Sequence, residues 1–211
     1  MAVIGASTDA TKFGTLSLNT LIQFGFEGRI YPINPHAMEI LGLKTYTNLK
    51  DISDSIDLAL IAVPAPAVPS VLKECVAKGI RAAVVYTSGF SETGKEEGLR
   101  LEREIAKISK EKGIRVIGPN CFGTYCPASG LTLPPGAYYS KESGNVAFLS
   151  QSGGYADRFC QEAKGCGIRF SKVVSYGNAC DLNETDFLEY LSEDPETKII
   201  GLYIEGVKDG Q

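Results

Sequence analysis

Two short stretches of small and hydroxyl-bearing residues stand where they could hold an anion. The first is Gly5-Ala6-Ser7-Thr8-Asp9, followed by Lys12 and Gly14. The second is Ser150-Gln151-Ser152-Gly153-Gly154. Each follows a short apolar run and precedes a stretch with helical periodicity. Small residues let backbone N–H groups approach a phosphate, and a helix that begins there turns its positive end to the same point. The first loop reads either as a phosphate cradle or as the tight strand-to-helix turn that any such unit needs. The second reads as an oxyanion or phosphate site. A serine-hydrolase elbow is its rival, but that chemistry needs a later histidine, and His36 is the single histidine of the chain.

Other strand ends carry further candidates. The second strand closes on Asn34-Pro35-His36, with no carboxylate before Glu39. Dinucleotide enzymes place an acidic residue near this point to hold a ribose 2′-hydroxyl. A neutral Asn and a titratable His suit a phosphorylated ribose better, which argues against NAD. His36 reads equally as a surface residue; as a phosphate contact it would make affinity rise as pH falls. Val63-Pro64-Ala65-Pro66 is stiff, because proline fixes φ. It reads as a ledge for an adenine ring or a pantetheine-like arm, or simply as a strand terminator. Ser88-Gly89 and Asn120-Cys121 offer a hydroxyl, a close backbone approach, an amide and a thiol at two more strand ends. Glu205 is either a solvated strand end or a carboxylate partner for a histidine supplied from elsewhere.

These loops need a sheet to bring them together. Apolar runs at 1–4, 29–33, 58–63, 82–86 and 115–117 alternate with helical patterns at 13–24, 67–78 and 95–112. The alternation restarts with strands at 146–149, 171–175 and 199–204 and helices at 154–164 and 184–192. Apolar strands alternating with amphipathic helices predict an α/β fold with parallel sheets covered on both faces. The expected division is a Rossmann-like domain at 1–126, a Pro- and Gly-rich linker at 127–143 and a second α/β unit at 144–211. With three strands, that second unit is thin for an independent parallel sheet and reads as cut off. An exposed sheet edge there would favour a homo-oligomer.

Composition narrows the class. The 211 residues carry a net charge of −4 and 44% hydrophobic residues, with a pI of about 5.2. No basic footprint for nucleic acid is present. No apolar stretch has membrane-spanning length. The six cysteines form no C-x-x-C pair, so zinc is not expected and reduced thiols in a cytoplasmic protein are.

Taken in order, Val3-Ile4-Gly5-Ala6-Ser7, Tyr31-Pro32-Ile33-Asn34-Pro35, Ala62-Val63-Pro64-Ala65, Ser88-Gly89-Phe90, Gly118-Pro119-Asn120-Cys121, Ser150-Gln151-Ser152-Gly153 and Tyr203-Ile204-Glu205-Gly206 resemble the ADP-forming acetyl-CoA synthetase family. That family is related to the α subunit of succinyl-CoA synthetase. The resemblance implies a CoA-binding first domain and a flavodoxin-like second one. It implies that Gly5, Ala6, Ser7, Thr8 and Lys12 meet the CoA phosphates, with Asn34 and His36 beside them. Val63, Pro64 and Ala65 would line the adenine and pantetheine path, with Ser88 and Gly89 near the arm and Asn120 and Cys121 near the thiol end. Ser150, Ser152 and Gly153 would bind the transferred phosphate, and Glu205 would steady a phosphohistidine expected beyond Gln211.

The family reaction converts acyl-CoA, ADP and phosphate to carboxylic acid, ATP and CoA. Its ADP, ATP and Mg belong to an ATP-grasp domain or β subunit, which this sequence lacks. By that resemblance the chain alone would bind CoA and acyl-CoA without completing the ligase cycle. A non-catalytic CoA-binding regulatory module is the alternative reading, and an NAD(P)-binding oxidoreductase domain is disfavoured.

Overall fold

Alternation of side chains along five short strands builds the first half of the molecule. The computed structural model describes residues 1–136 and 138–208; Ala137, in the expected linker, and residues 209–211, at the end of the second unit, lie outside the described residues. The chain runs through β1 (Ala2–Ile4), α1 (Phe13–Phe24) and β2 (Tyr31–Ile33), then a small hairpin of β3 (Glu39–Ile40) and β4 (Leu43–Lys44). It continues through β5 (Leu58–Ile61), α2 (Val68–Ala77), β6 (Ala82–Val85), α3 (Glu96–Lys112) and β7 (Arg115–Ile117). The first sheet has strand order β2-β1-β5-β6-β7 and is parallel throughout.

Because β-strand side chains alternate, the two faces separate cleanly. Ala2, Ile4, Ala59, Ile61, Ala83 and Val85 point to one core with Leu72 and Cys75 of α2 and Ile105 of α3. Val3, Leu60 and Val84 point to the other, with Leu18 and Leu21 of α1. Burial on both faces is why these strands read as continuous apolar runs.

The second half comprises β8 (Gly123–Cys126), β9 (Leu131–Thr132), β10 (Val146–Ser150), α4 (Gly153–Gly165), β11 (Phe170–Ser175), α5 (Glu184–Ser192) and β12 (Ile199–Tyr203). Its sheet has order β12-β10-β11-β8-β9. This differs from a purely parallel three-stranded expectation. β8 pairs antiparallel with β11, and β9 antiparallel with β8. Residues 123–126, placed with the first domain on sequence, and 131–132, placed in the linker, therefore complete the second sheet. Proline and glycine around them hid the strands, since they mark the 3₁₀ turn at Pro127–Ser129 that joins them.

Helix α1 stands between the halves. Leu18 and Leu21 pack with Leu133, whereas Phe24 joins the core of Tyr125, Phe148 and Phe170. The Phe24 and Tyr125 rings meet edge to face at 6.3 Å. Helix α5 covers the opposite face of the second sheet through Phe187 and Leu191. Among the described residues, no helix is long and apolar enough to cross a membrane.

Candidate functional site

Strand register decides which loops meet. Ile4 lies opposite Ile33 on one side and Ile61 on the other, and Ile61 lies opposite Val85. The residues that follow, Gly5, Asn34, Ala62 and Tyr86, therefore emerge at one level at the carboxyl ends of the strands. β1 is the point where the chain order reverses, since β2 lies on one side and β5 on the other. That is the crevice in which open α/β sheets hold ligands.

A cleft of about 530 Å³ opens there, lined by Gly5, Ala6, Ser7, Lys12, Asn34, Val63, Pro64 and Ser88 among the residues singled out on sequence. Phe13, Gly14, Ala62, Tyr86 and Thr87 complete its wall. The floor is backbone against backbone. Gly5 has φ of +98°, and a Cβ there would stand 2.4 Å from the Ala62 carbonyl oxygen. The Ser7 loop is pinned by Thr15, whose Oγ1 accepts from the Ser7 N–H at 2.9 Å and donates to the Ser7 carbonyl at 2.8 Å. Lys12 caps α1 from an extended conformation, with no side-chain hydrogen bond to the helix. Lys12 and the first two residues of α1, Phe13 and Gly14, thus line the cleft at the positive end of the helix.

Some expected residues tie the loops together as well as lining the cavity, and others lie outside it. Asn34 donates from Nδ2 to the Ala6 carbonyl at 2.7 Å, and its Oδ1 accepts from the His36 and Ala37 amides. It ties the end of β2 to the Gly5–Ser7 turn. The His36 side chain is exposed and lies outside the lining, as do Thr8, Ala65 and Gly89. Gly89 instead packs its backbone toward Ala65, where a Cβ would come within 3.4 Å of that methyl group.

A second cleft of about 320 Å³ adjoins the first and shares Tyr86 with it. Asn120, Cys121, Ser152, Gly153 and Glu205 line it, joined by Phe122, Gln151 and Gly154. The Phe122 ring stands between the two, 6.2 Å from Phe13 and 6.4 Å from Tyr86. Ser152 caps α4 by accepting from the Tyr155 amide at 3.2 Å. Ser150 is fully buried, and its hydroxyl donates to the Ser152 carbonyl, so it shapes the turn from beneath. The Cys121 thiol points at the Val85 carbonyl, and burial pushes its pKa up to about 12. It lines the cleft as a neutral group.

Gln151 and Tyr86 were not singled out on sequence. Gln151 Oε1 accepts from the Glu205 and Gly206 amides, and its Nε2 donates to the Gly206 carbonyl at 2.7 Å. That clamp presents Glu205 at the mouth of the second cleft. The position of Gln151 between the two serines was the only available signal. Tyr86 ends a buried strand and is itself buried; desolvation holds its phenol well above the ordinary range. A further cavity of about 480 Å³ lies beside Met1, Arg29 and Asp54, at the opposite ends of the strands, away from both helix starts.

Comparison with known proteins finds two family matches along the chain. Residues 1–127 match the family model described as a CoA binding domain, and residues 143–211 match the succinyl-CoA ligase like flavodoxin domain. The chain is 45% identical to an ADP-forming acetate–CoA ligase of Methanocaldococcus jannaschii, over 99% of this chain and 29% of that protein. It is 42% identical to the α subunit of an ADP-forming acetate–CoA ligase II of Pyrococcus furiosus, over 100% of this chain and 45% of that one. A dinucleotide-forming acetyl-coenzyme A synthetase of Ca. Korarchaeum cryptofilum, solved with phosphate and ADP, superposes with a TM-score of 0.91 at 40% identity, covering 99% of this chain and 44% of that chain. The chain thus spans less than half the length of these relatives. The strand-end loops that form the first cleft all fall inside the first matched region, and by that match this chain belongs to the CoA binding domain family.

Proposed function

We propose that the first cleft binds coenzyme A and that the chain is the CoA-holding part of an ADP-forming acyl-CoA synthetase. The observation that carries this reading is the shared wall between the two clefts. A nucleotide phosphate at Gly5–Ser7 and Lys12 leaves the rest of an elongated ligand to run past Pro64 and Ser88 toward Tyr86. Its far end then reaches the Ser152–Gly154 helix start, where a free phosphate would sit. A compact mononucleotide would occupy the first cleft alone; a long thioester would place its reacting carbonyl at the boundary.

In this reading phosphate held at α4 attacks the thioester carbonyl, releasing CoA and forming an acyl phosphate. The protein's part is to orient the two reactants and to meet developing negative charge with helix-start amides. Glu205, fixed by Gln151, faces the same space and would partner a histidine that receives the phosphoryl group. Transfer onward to ADP, with Mg, would use an ATP-grasp domain or β subunit. A second copy of this chain is a further partner in this reading.

Titration calorimetry with CoA, dephospho-CoA, NAD and NADP tests the reading. CoA is expected to bind and NAD to give no heat. Binding of NAD without CoA would overturn it in favour of an oxidoreductase domain. Binding of CoA in a protein with neither phosphohistidine nor ATP-grasp partner would favour the regulatory module.

A further inference from the structure

The loop that walls the first cleft is held by a residue of the other half of the molecule. Glu92 lies four residues past Ser88 and folds back on its own loop. Its Oε1 accepts from the Gly89 amide at 2.5 Å and from the Phe90 amide at 3.1 Å. Its second oxygen accepts from Asn178 Nδ2 at 2.6 Å. The same Nδ2 donates to Glu102 Oε2 at 2.8 Å, and Glu102, on α3, is only 8% exposed. Asn178 Oδ1 faces Asn120 Nδ2 at 3.3 Å, and Asn120 lines the second cleft. One amide side chain therefore bears on a loop of each cleft.

Its own backbone is fixed. The Asn178 N–H donates to the Pro119 carbonyl at 2.9 Å, and Cys180 N–H donates to that of Gly118 at 3.0 Å. The preceding Gly177 has φ of +57°, and a Cβ there would lie 2.2 Å from the Pro119 oxygen. The turn after β11 is thus laid directly onto the loop after β7. Two carboxylates as close as Glu92 and Glu102 would repel without a donor between them. An amide supplies both required protons and adds no charge, which an aspartate of the same shape cannot do.

We propose that Asn178 is a positioning residue that sets the Ser88–Phe90 loop for CoA from across the interface and fixes Asn120 at the phosphate cleft in the same act. The proposal rests on the CoA reading above. It accounts for a feature that reading leaves unused: Glu92 and Asn178 line neither cleft, yet they hold a segment of each.

The test uses Asn178→Asp, Glu92→Gln and the double variant. N178D removes the donor and adds a third carboxylate. In the double variant the amide introduced at position 92 keeps the Gly89 and Phe90 N–H groups through its oxygen, while its own nitrogen donates to the carboxylate introduced at position 178. Two readouts are taken on the whole chain: calorimetric affinity for CoA, and amide hydrogen exchange across residues 87–94 without ligand. N178D is expected to weaken CoA at least tenfold and to speed exchange in 87–94, with N178D/E92Q recovering part of both, since the loop contact is restored while the carboxylate at 178 still faces Glu102. A general packing defect would not be rescued by a second substitution, so failure of rescue overturns the proposal. Unchanged exchange and affinity in N178D overturns it as well. If the unaltered chain binds no CoA but exchange in 87–94 responds and is rescued, the CoA reading falls and the clamp stands.

Discussion

Gly14 lies beneath Gly5, so close that a Cβ on Gly14 would stand 2.7 Å from the Gly5 carbonyl oxygen and 3.1 Å from the Ala6 nitrogen. This contact lets the first turn of α1 approach the end of β1 and holds the helix start at the wall of the cleft. Gly14→Ala should force these backbones apart at a cost of about 1–3 kcal/mol, the usual scale for overpacking. Chemical denaturation should read that loss. CoA affinity in the folded variant should fall at least tenfold by calorimetry, because the cradle opens. An unchanged affinity would detach ligand binding from this loop.

Ser152 should behave as a helix cap and a cleft residue at once. Ser152→Ala removes the acceptor for the Tyr155 amide, a loss of about 1 kcal/mol, whereas Ser152→Gly should cost only a few tenths. Both lose the hydroxyl at the second cleft. Phosphate protection against thermal unfolding should therefore drop equally in both variants while their stabilities differ. Different phosphate responses would tie the effect to the helix rather than to the hydroxyl.

Acid should weaken the contact between the halves. Burial opposes the charge of Glu102, but hydrogen bonds from Ser91 and Asn178 and the Lys208 ammonium at 3.2 Å outweigh it and hold its pKa below the ordinary value. Burial likewise opposes the charge of Glu92, and Asn178 with the Gly89 and Phe90 amides lowers it. A carboxylate depressed in the folded state adds stability above its unfolded pKa and loses it as pH falls through the folded one. Urea unfolding from pH 7 to pH 3 should show stability falling below about pH 4.5, with a shallower fall in Glu102→Gln. Equal slopes in the two proteins would contradict the assignment.

Thiol chemistry should sort the cysteines by burial. Desolvation raises Cys75, Cys121 and Cys160 each to about 12, whereas Cys166 is exposed at the end of α4. Alkylation at pH 8 followed by peptide mass spectrometry should label Cys166 first and leave those three until the protein is unfolded, since the thiolate is the reactive form. Rapid labelling of Cys121 in the native chain would contradict the desolvation that holds its thiol neutral.

By itself the order of apolar runs and glycine-rich ends determined most of the architecture. Two-faced burial makes β1, β5 and β6 legible as strands, and the small residues after β1 and β10 mark the helix starts because few other sequences permit that backbone. The sequence also placed Gly5–Ser7, Lys12, Pro64 and Ser88 among the candidates. It could not show that Asn34 and Ser150 face their own loops, because a hydrogen bond to a neighbouring carbonyl leaves no periodic trace. Nor could it place β8 and β9 in the second sheet, where antiparallel pairing across the Pro127 turn joins them to β11. Above all, only the tertiary structure put Asn178 between Glu92 and Glu102. Those residues are 86 and 76 positions away, and their union depends on how one sheet end is laid against the other.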